Sequence, residues 1–556
     1  MEDHIFKIIR ILVRFLAKSV IINIKTINMS KNKSNILAIG IMFFLFAMIS
    51  FVTGLQNPFG IVVKNQFEAS NAMSQLGNAA NFIAYAFLGL PAGFLLKRKG
   101  YKFTALAAVA VGFLGVGILY LSGVVENFTV YLIGAFVSGF SMCMLNTVVN
   151  PMLNTLGGGG NRGNQLIQLG GSINSLAATI CPVFVGYLIG DAAKAKISDA
   201  DPALFIAMGI FVLAFVIILF SHIPEPDLDA AKENKTETKS EGTMTSIKGA
   251  LSHRNFVFGI IAIFLYVGIE VGIPNTMNNY LTTKTKVQLD ETLTQNDIIS
   301  KNLIYIDAYK VNGTVAPELE QYLDDYYKKN EKIKDAPIKD KIKEYLTFLY
   351  EEKSVKEKDQ TISGLNDAIV KENKECRKNI ADPDYKEGRG MKTDAAGAVV
   401  AIYWFLMLIG RLIGGAIGGK VSSRIMISTV SFVAMAFVTV GLLLPETSLV
   451  KFPSLDAETF TFQMVDIPVG IMLFVLCGLC TSVMWGAIFN LAVEGLGKYT
   501  SIASGLFMVM VCGGGIVPLI QGGVVDAAGF MNSYWVLVAA LAFILWFGLV
   551  GSKVKK

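Results

Sequence analysis

The stretch "CMLNTVVNPML" (143–153) is apolar enough for a membrane-buried helix, yet it carries two asparagines and a proline. A bilayer interior accepts such groups only where a partner or a cavity satisfies their hydrogen bonds. A second stretch, "WGAIFNLAVEGLG" (485–497), repeats part of this pattern. Asn150 precedes a Leu-Gly at 156 by the same spacing with which Asn490 precedes the Leu-Gly at 496. Together with a shared Pro-to-Gly spacing further along, this predicts two parallel, related halves.

The composition favours a membrane protein with several spans. Of 556 residues, 53% are hydrophobic and 17% are charged, and the mean hydropathy is +0.53. A helix needs about 20 apolar residues to cross a hydrocarbon core. We predict twelve such spans, which are too uniformly apolar for barrel strands; their centres lie near residues 50, 84, 112, 142, 177, 212, 268, 407, 434, 480, 512 and 541. The predicted fold is an all-α membrane protein with two six-helix repeats.

Lysine and arginine are unevenly distributed between the two sides of this arrangement. Short cytoplasmic loops collect these residues, and "KRKGYK" (97–102), "KVSSR" (420–424) and the C-terminal "KVKK" fall on one side. We therefore predict a multi-pass protein of the cytoplasmic membrane with both termini in the cytoplasm. The net charge of +6 follows from this asymmetry and needs no nucleic-acid partner.

The charge pattern divides the chain into segments. They are a basic extension at 1–35, a six-helix bundle at 36–222, a cytoplasmic linker at 223–253, helix seven at 254–282, an extracytoplasmic insertion at 283–394 and helices eight to twelve at 395–556. The basic extension fits either a cationic helix on the membrane surface or an upstream segment before a start at Met29. The insertion fits either a small helical subdomain, because apolar residues recur at helical spacing in 319–326 and 338–349, or a disordered charged segment.

Residues for catalysis are sparse in the sequence. The three histidines (His4, His222 and His253) lie in aqueous segments, which leaves no histidine-based triad or metal cluster in the spans. "GGGGNRGNQ" (157–165) lacks the Lys-Ser/Thr of a phosphate loop, and "CGLC" (477–480) fits buried small hydrophobes better than a metal pair. We predict no enzyme, no cofactor and no metal.

Amides are the common polar groups in the spans. Asn and Gln donate and accept hydrogen bonds, which suits the hydroxyls of a neutral solute, although one amide can also join neighbouring helices. Their number favours a polar cavity. The candidate substrate-binding residues are Asn57, Asn146, Asn150, Gln168, Asn174, Glu270, Asn275 and Asn490.

Two charged residues stand out. Glu270 lies well inside span seven, where a carboxylate is by default functional. Arg411 lies toward the inner half of span eight, where pairing or snorkelling to the interface is equally compatible with the sequence.

Four stretches together resemble the fucose:proton symporter family of the major facilitator superfamily. They are "LNTVVNP" (145–151), "YVGIEVGIPNTMNNYL" (266–281), "YWFLMLIGRLIGG" (403–415) and "NLAVEGLGKYTSIASGLFMVMVCGGGIVP" (490–518). The resemblance implies the major facilitator fold and a central site for fucose, galactose or glucose.

The sequence departs from the family in three places. The family carries an aspartate in span one and a glutamate in span four that take part in proton coupling; Asn57 and Asn146 stand there in this chain. An amide does not titrate in the accessible pH range, so we predict that coupling has moved to another group, with Glu270 the candidate, or uses sodium or no ion. The long insertion is the third departure.

The sequence thus predicts a secondary transporter of a monosaccharide with altered or absent proton coupling. The alternative is a membrane sensor or assembly component that binds a solute and signals through the insertion. A polytopic enzyme acting on lipid-linked sugar is disfavoured, since no catalytic acid pair is apparent.

Overall fold

The structure is a computed structural model. It describes residues 33–66, 76–189, 200–225, 243–294, 296–297, 369–383, 385–391, 393–455 and 462–554. Most of the extension predicted at 1–35, most of the linker predicted at 223–253 and both helical faces predicted within the insertion lie outside these ranges.

Helices build the N-terminal half. They are α1 (Lys33–Gln66), α2 (Leu76–Val124), α3 (Phe128–Leu156), α4 (Gly160–Ile189) and α5 (Asp201–Phe220). α2 is broken at Gly100, which has a φ of 82°, so it contains the second and third predicted spans. α3 begins after Asn127, whose side-chain oxygen accepts hydrogen bonds from the backbone N–H groups of Thr129 and Val130. Such a cap satisfies donors that a first helical turn leaves unpaired.

Helices also build most of the remaining chain. In order they are α6 (Thr243–Leu251), α7 (Arg254–Thr282), α8 (286–294), α9 (369–381), α10 (Thr393–Ile417), α11 (Ser423–Leu443), α12 (Val469–Thr481), α13 (Met484–Val493), α14 (Thr500–Val509), α15 (Gly513–Ala528), α16 (Phe530–Ser533) and α17 (Trp535–Trp546). We call α1–α5 the N-terminal half, and α7 with α10–α17 the C-terminal half.

The helical character of the predicted spans is confirmed. Every predicted span centre lies in a helical segment. In the described part of the chain, 8 helices are long and apolar enough to cross a membrane, or 9 if α12 and α13 form one bent span. The number of twelve spans therefore stays a prediction.

A β-hairpin between α11 and α12 departs from the all-α prediction. β1 (Leu449–Leu455) and β2 (Phe462–Pro468) pair antiparallel. In β1, Phe452 and Ser454 are buried while Lys451 and Pro453 are exposed. This period-two alternation is typical of a half-buried strand, but it is too short to stand out in a chain dominated by apolar helices.

Residues Asn279–Thr393 form a compact unit of their own. Its two chain ends are tied together by backbone hydrogen bonds from Arg389 N–H to the Tyr280 carbonyl at 2.9 Å and from Met391 N–H to the Leu281 carbonyl at 2.8 Å. An exposed ion pair at 3.5 Å joins Lys284, just before α8, to Glu372 on α9. Its placement outside the cytoplasm stays a prediction.

One end of the bundle carries the basic stretch "KRKGYK" (97–102) at the break in α2, and we call it the basic end. There the Glu225 carboxylate accepts hydrogen bonds from the backbone N–H groups of Tyr101 and Lys102 at 2.7 and 2.8 Å. These groups begin the second part of α2, where a negative charge is favoured. Lys102 Nζ in turn donates to the Leu219 carbonyl at the end of α5, at 2.8 Å, and Lys97 Nζ donates to the Ser246 hydroxyl of α6. Side chains therefore fix the helix ends at this end of the bundle.

The two halves meet closely near the basic end. Gly505 of α14 lies against Gly89 and Gly93 of α2, and a Cβ added to Gly505 would lie 2.6 Å from the Gly89 carbonyl oxygen. Small residues permit this close approach of two helix backbones. Nearby, Gln165 Nε2 of α4 donates to the Gly415 carbonyl of α10 at 2.9 Å. In this structure the N- and C-terminal halves are thus in direct contact.

Candidate functional site

A buried ion pair lies where α7 meets α10. Arg411 Nη2 is 3.1 Å from Glu270 Oε1, and the two side chains are 11% and 15% exposed. An isolated charge is costly to bury, because it loses its hydration. The opposite charges of Arg411 and Glu270 therefore stabilise each other. The sequence singled out Glu270 as functional. For Arg411 it left pairing and snorkelling open, and the structure shows pairing.

Arg411 also connects the two halves of the protein. Its Nη1 donates to Ser175 Oγ at 2.7 Å and to the Gly171 carbonyl at 3.0 Å, both on α4. Its Nε donates to the Ser482 carbonyl, between α12 and α13, at 3.3 Å. The guanidinium therefore joins the C-terminal half to α4 in the N-terminal half.

Asn174 lies at the margin of this cluster. Its Oδ1 is 3.5 Å from Arg411 Nη1, and its Nδ2 donates to the Phe46 carbonyl of α1 at 3.0 Å. Asn174 thus links α1 and α4 next to the guanidinium. It is the predicted amide that the structure brings to the ion pair.

Aromatic side chains surround the pair. Tyr266 lies one helical turn before Glu270 and is buried, and its hydroxyl interacts with the Glu270 carboxylate and the Arg411 guanidinium. The Tyr266 ring lies edge-on to Trp485, with ring centroids 6.2 Å apart. The Tyr403 hydroxyl lies 3.1 Å from Thr481 Oγ1. A buried phenol normally finds a hydrogen-bond partner, and Tyr266 finds it in this charged pair.

Two amides on α3, Asn146 and Asn150, are hydrogen-bonded in series and reach Trp485. Asn146 Nδ2 donates to the Tyr85 hydroxyl at 3.0 Å, and Asn150 Nδ2 donates to the Asn146 carbonyl at 2.9 Å. Asn150 Oδ1 accepts a hydrogen bond from Trp485 Nε1 at 3.0 Å. Because Trp485 belongs to α13, this bond also crosses between the halves.

The remaining predicted residues lie apart from the ion pair. Gln168 is buried and donates to the Val483 carbonyl at 2.7 Å. Asn490 donates to Ser423 Oγ at 2.9 Å, which joins α13 to α11. Asn275 is exposed on α7. Asn57 lies in α1, and its side chain falls outside the described part of the structure.

The sequence analysis missed Tyr85, Ser175, Tyr266 and Trp485. For Tyr266 a signal existed, because a residue four positions before a functional residue shares its helix face. For Ser175 and Trp485 no local signal existed, since their partners Arg411 and Asn150 are 236 and 335 residues away in the chain.

The cluster offers one ion pair, several neutral donors and acceptors, and flat aromatic faces. Such a set can bind a neutral, hydroxyl-rich molecule through hydrogen bonds. Within the described residues no group of three or more His, Cys, Asp or Glu side chains could hold a metal ion.

Comparison with known proteins finds sequence similarity to one family of membrane transporters. A sequence model of the Major Facilitator Superfamily matches residues 42–294. A glucose/galactose transporter of Brucella abortus biovar 1 (strain 9-941) is 26% identical over 517 residues, which is 92% of each chain. The L-fucose-proton symporter of Escherichia coli (strain K12) is 22% identical over 249 residues, 41% of this chain and 55% of that protein.

Solved structures agree in fold. The crystal structure of a major facilitator superfamily transporter, FucP, in the outward conformation superposes with a TM-score of 0.63 at 17% sequence identity. The match covers 94% of this chain and 100% of that chain. The proton:xylose symporter XylE matches with a TM-score of 0.57 at 11% identity over 93% of this chain and 96% of that chain.

Proposed function

We infer that the chain is a multi-pass membrane protein of the major facilitator superfamily, whose sequence model matches residues 42–294, and we propose that it carries a monosaccharide across the cytoplasmic membrane. The proposal includes twelve spans, both termini in the cytoplasm and alternating access of one central site to the two sides of the membrane. The relatives named as glucose/galactose transporters and L-fucose-proton symporters support a hexose or deoxyhexose as substrate.

The observation that carries this proposal is the position of Arg411, with its partners Glu270 and Ser175, between the two halves. We call these residues the Arg411 cluster. Glu270 belongs to α7 and Ser175 to α4, and one guanidinium holds both, at 3.1 and 2.7 Å. Parallel repeats place their substrate site at the repeat interface. A solute bound here contacts both halves, so its binding can be linked to their relative movement.

Amides and aromatic groups fit the proposed substrate. Asn150, Asn174 and the Tyr266 hydroxyl offer hydrogen bonds to sugar hydroxyls, and the Trp485 ring offers an apolar face. In this proposal Glu270 accepts hydrogen bonds from the sugar while Arg411 holds the carboxylate in place. Asn57, Asn146 and Asn275 remain proposed lining residues, Gln168 and Asn490 more distant ones.

The contacts of Asn146 bear on the coupling ion. Its Nδ2 donates to the Tyr85 hydroxyl at 3.0 Å and to the Met142 carbonyl at 3.1 Å. An ionised carboxylate here could accept a hydrogen bond from the Tyr85 hydroxyl but could not donate to the Met142 carbonyl, and an amide does not titrate in the accessible pH range. We propose that this position does not carry a proton in the transport cycle and that Glu270 is the remaining candidate.

Dissipation of an imposed proton gradient is therefore expected to reduce sugar uptake less in this protein than in a relative that has acids at both positions. Uptake into proteoliposomes under proton and sodium gradients, imposed separately, measures this. If Glu270 couples an ion, Glu270→Gln abolishes whatever gradient dependence is found. Strong acid-driven uptake that persists in Glu270→Gln would rule out Glu270 as the coupling group.

The function itself is tested with a panel of labelled hexoses and deoxyhexoses. We expect saturable uptake of at least one of them into proteoliposomes, with Glu270→Gln and Tyr266→Phe each reducing its rate. The Lys451→Gln variant, at an exposed position of β1, is the matched control and is expected to keep the parent rate.

One observation favours a second candidate function. Asn279–Thr393 is a compact unit that interrupts the chain between α7 and α10, and such a unit suits a sensor that signals to a partner. Sugar binding without any flux in the same panel would favour the sensor and overturn transport.

A further inference from the structure

The span formed by α12 and α13 is bent between Thr481 and Met484. The two helices meet at 40°, and the residues between them are Ser482 and Val483. A sharp bend frees backbone carbonyl groups from the helical ladder, and other groups must then satisfy them. This break therefore depends on donors from neighbouring helices.

Side chains from two other helices supply those donors. Gln168 of α4 donates through Nε2 to the Val483 carbonyl at 2.7 Å. The helical bond to the same carbonyl, from Ala487 N–H, is longer at 3.3 Å. Arg411 of α10 donates through Nε to the Ser482 carbonyl at 3.3 Å. Both carbonyls of the break are thus held from outside their own span.

The site of Gln168 is closely packed. A Cβ added to Gly486, on the first turn of α13, would lie 2.7 Å from Gln168 Nε2. Glycine at this position leaves room for the amide against the backbone of α13. Gln168 is 2% exposed, so water does not compete for its hydrogen bond.

We propose that Gln168 is a positioning residue that holds this break in its bent form. The break adjoins Arg411 through Ser482, and Arg411 holds Glu270, so the bend also sets the geometry of the proposed sugar site. Gln168 belongs to the N-terminal half and Val483 to the C-terminal half. Separation of the halves at this point removes the bond and allows the span to change its bend. This inference rests on the proposed function for its link to the sugar.

The test compares Gln168→Met with Gln165→Met. Methionine resembles glutamine in length but has no N–H donor. Gln165 also joins the halves, by a 2.9 Å bond to the Gly415 carbonyl, but that carbonyl lies within the unbroken α10. Gln165→Met is therefore a matched control, which removes an inter-half bond without touching the break.

The first measurement is hydrogen exchange of the backbone amides in 482–490, in lipid nanodiscs without added sugar. Gln168→Met is expected to speed this exchange by about fivefold or more, the scale of one lost hydrogen bond, and Gln165→Met to leave it unchanged. Equal exchange in the two variants would overturn the role of Gln168 at the break. Because no ligand is present, this result does not depend on the proposed transport function.

The second measurement is the dissociation constant of the sugar that the panel identifies. Gln168→Met is expected to weaken binding about threefold or more, while Gln165→Met alters only the maximal uptake rate. Faster exchange with unchanged affinity would overturn the link from the break to Glu270. A parent protein that binds no sugar would instead overturn the proposed function and leave the exchange result standing.

Discussion

Arg411→Met is expected to reduce sugar uptake to the background of protein-free liposomes and to destabilise the protein. The substitution leaves the Glu270 carboxylate, 15% exposed, without its charged partner. Loss of one member of a buried ion pair costs about 3–5 kcal/mol, because the remaining charge stays out of water. It also removes the hydrogen bonds that Arg411 Nη1 donates to Ser175 Oγ and to the Gly171 carbonyl. Uptake and thermal unfolding in detergent measure the two effects.

The double variant Glu270→Gln with Arg411→Met separates stability from function. With both charges removed, no unpaired charge remains, and most of the lost stability is expected to return. Uptake is expected to stay at background, since the bridge to α4 is still missing. Full uptake by Arg411→Met alone would contradict the role given to the pair.

Gly505→Ala is expected to lower the maximal uptake rate and to disfavour the arrangement of the halves seen in this structure. The added methyl group would lie 2.6 Å from the Gly89 carbonyl oxygen and 2.7 Å from the Gly93 Cα, both backbone atoms that cannot turn aside. Overpacking of this kind costs about 1–3 kcal/mol, which shifts a two-state population by roughly 5- to 150-fold.

Gly522→Ala, on the next helix α15, is the matched control. A Cβ there meets nothing within 4 Å, so uptake should equal that of the parent. We expect Gly505→Ala to bind sugar but to transport it slowly. Equal rates for the two alanine variants would show that the contact between α2 and α14 does not limit transport.

The sequence was informative about the spans and about isolated polar residues within them. Long apolar runs make every predicted span centre helical, because a membrane offers no partner for unpaired backbone groups. Glu270 could be recognised alone, since a carboxylate at that depth requires a partner. Asn150 and Asn174 could be recognised as amides in apolar surroundings, and both lie near Arg411 or Trp485.

The sequence was less informative about which residues meet. The partners of Arg411 include Ser175 on α4 and Ser482 between α12 and α13, at 236 and 71 residues' separation. No local sequence pattern encodes such distant contacts. Gln168 and Asn490 looked like cavity residues, yet their amides bond to Val483 and Ser423. Composition cannot separate an amide that joins two helices from one that faces a solute, because both satisfy the same donors and acceptors.

The β-hairpin marks another limit. Each of its strands has 7 residues, and its alternation is too short to be distinguished from a polar loop between two apolar helices. Val450 pairs with Ile467 across the two strands, and this pairing fixes the connection between α11 and α12. The sequences of α11 and α12 carry no signal for that pairing.

The central claim is that one sugar site faces the two sides of the membrane in turn, and counterflow tests it most directly. Proteoliposomes are loaded with unlabelled sugar, diluted into labelled sugar, and given no ion gradient. The account predicts that the label accumulates transiently inside above its outside concentration, and that Arg411→Met abolishes this overshoot. Binding of the labelled sugar without any overshoot in the parent protein would contradict it.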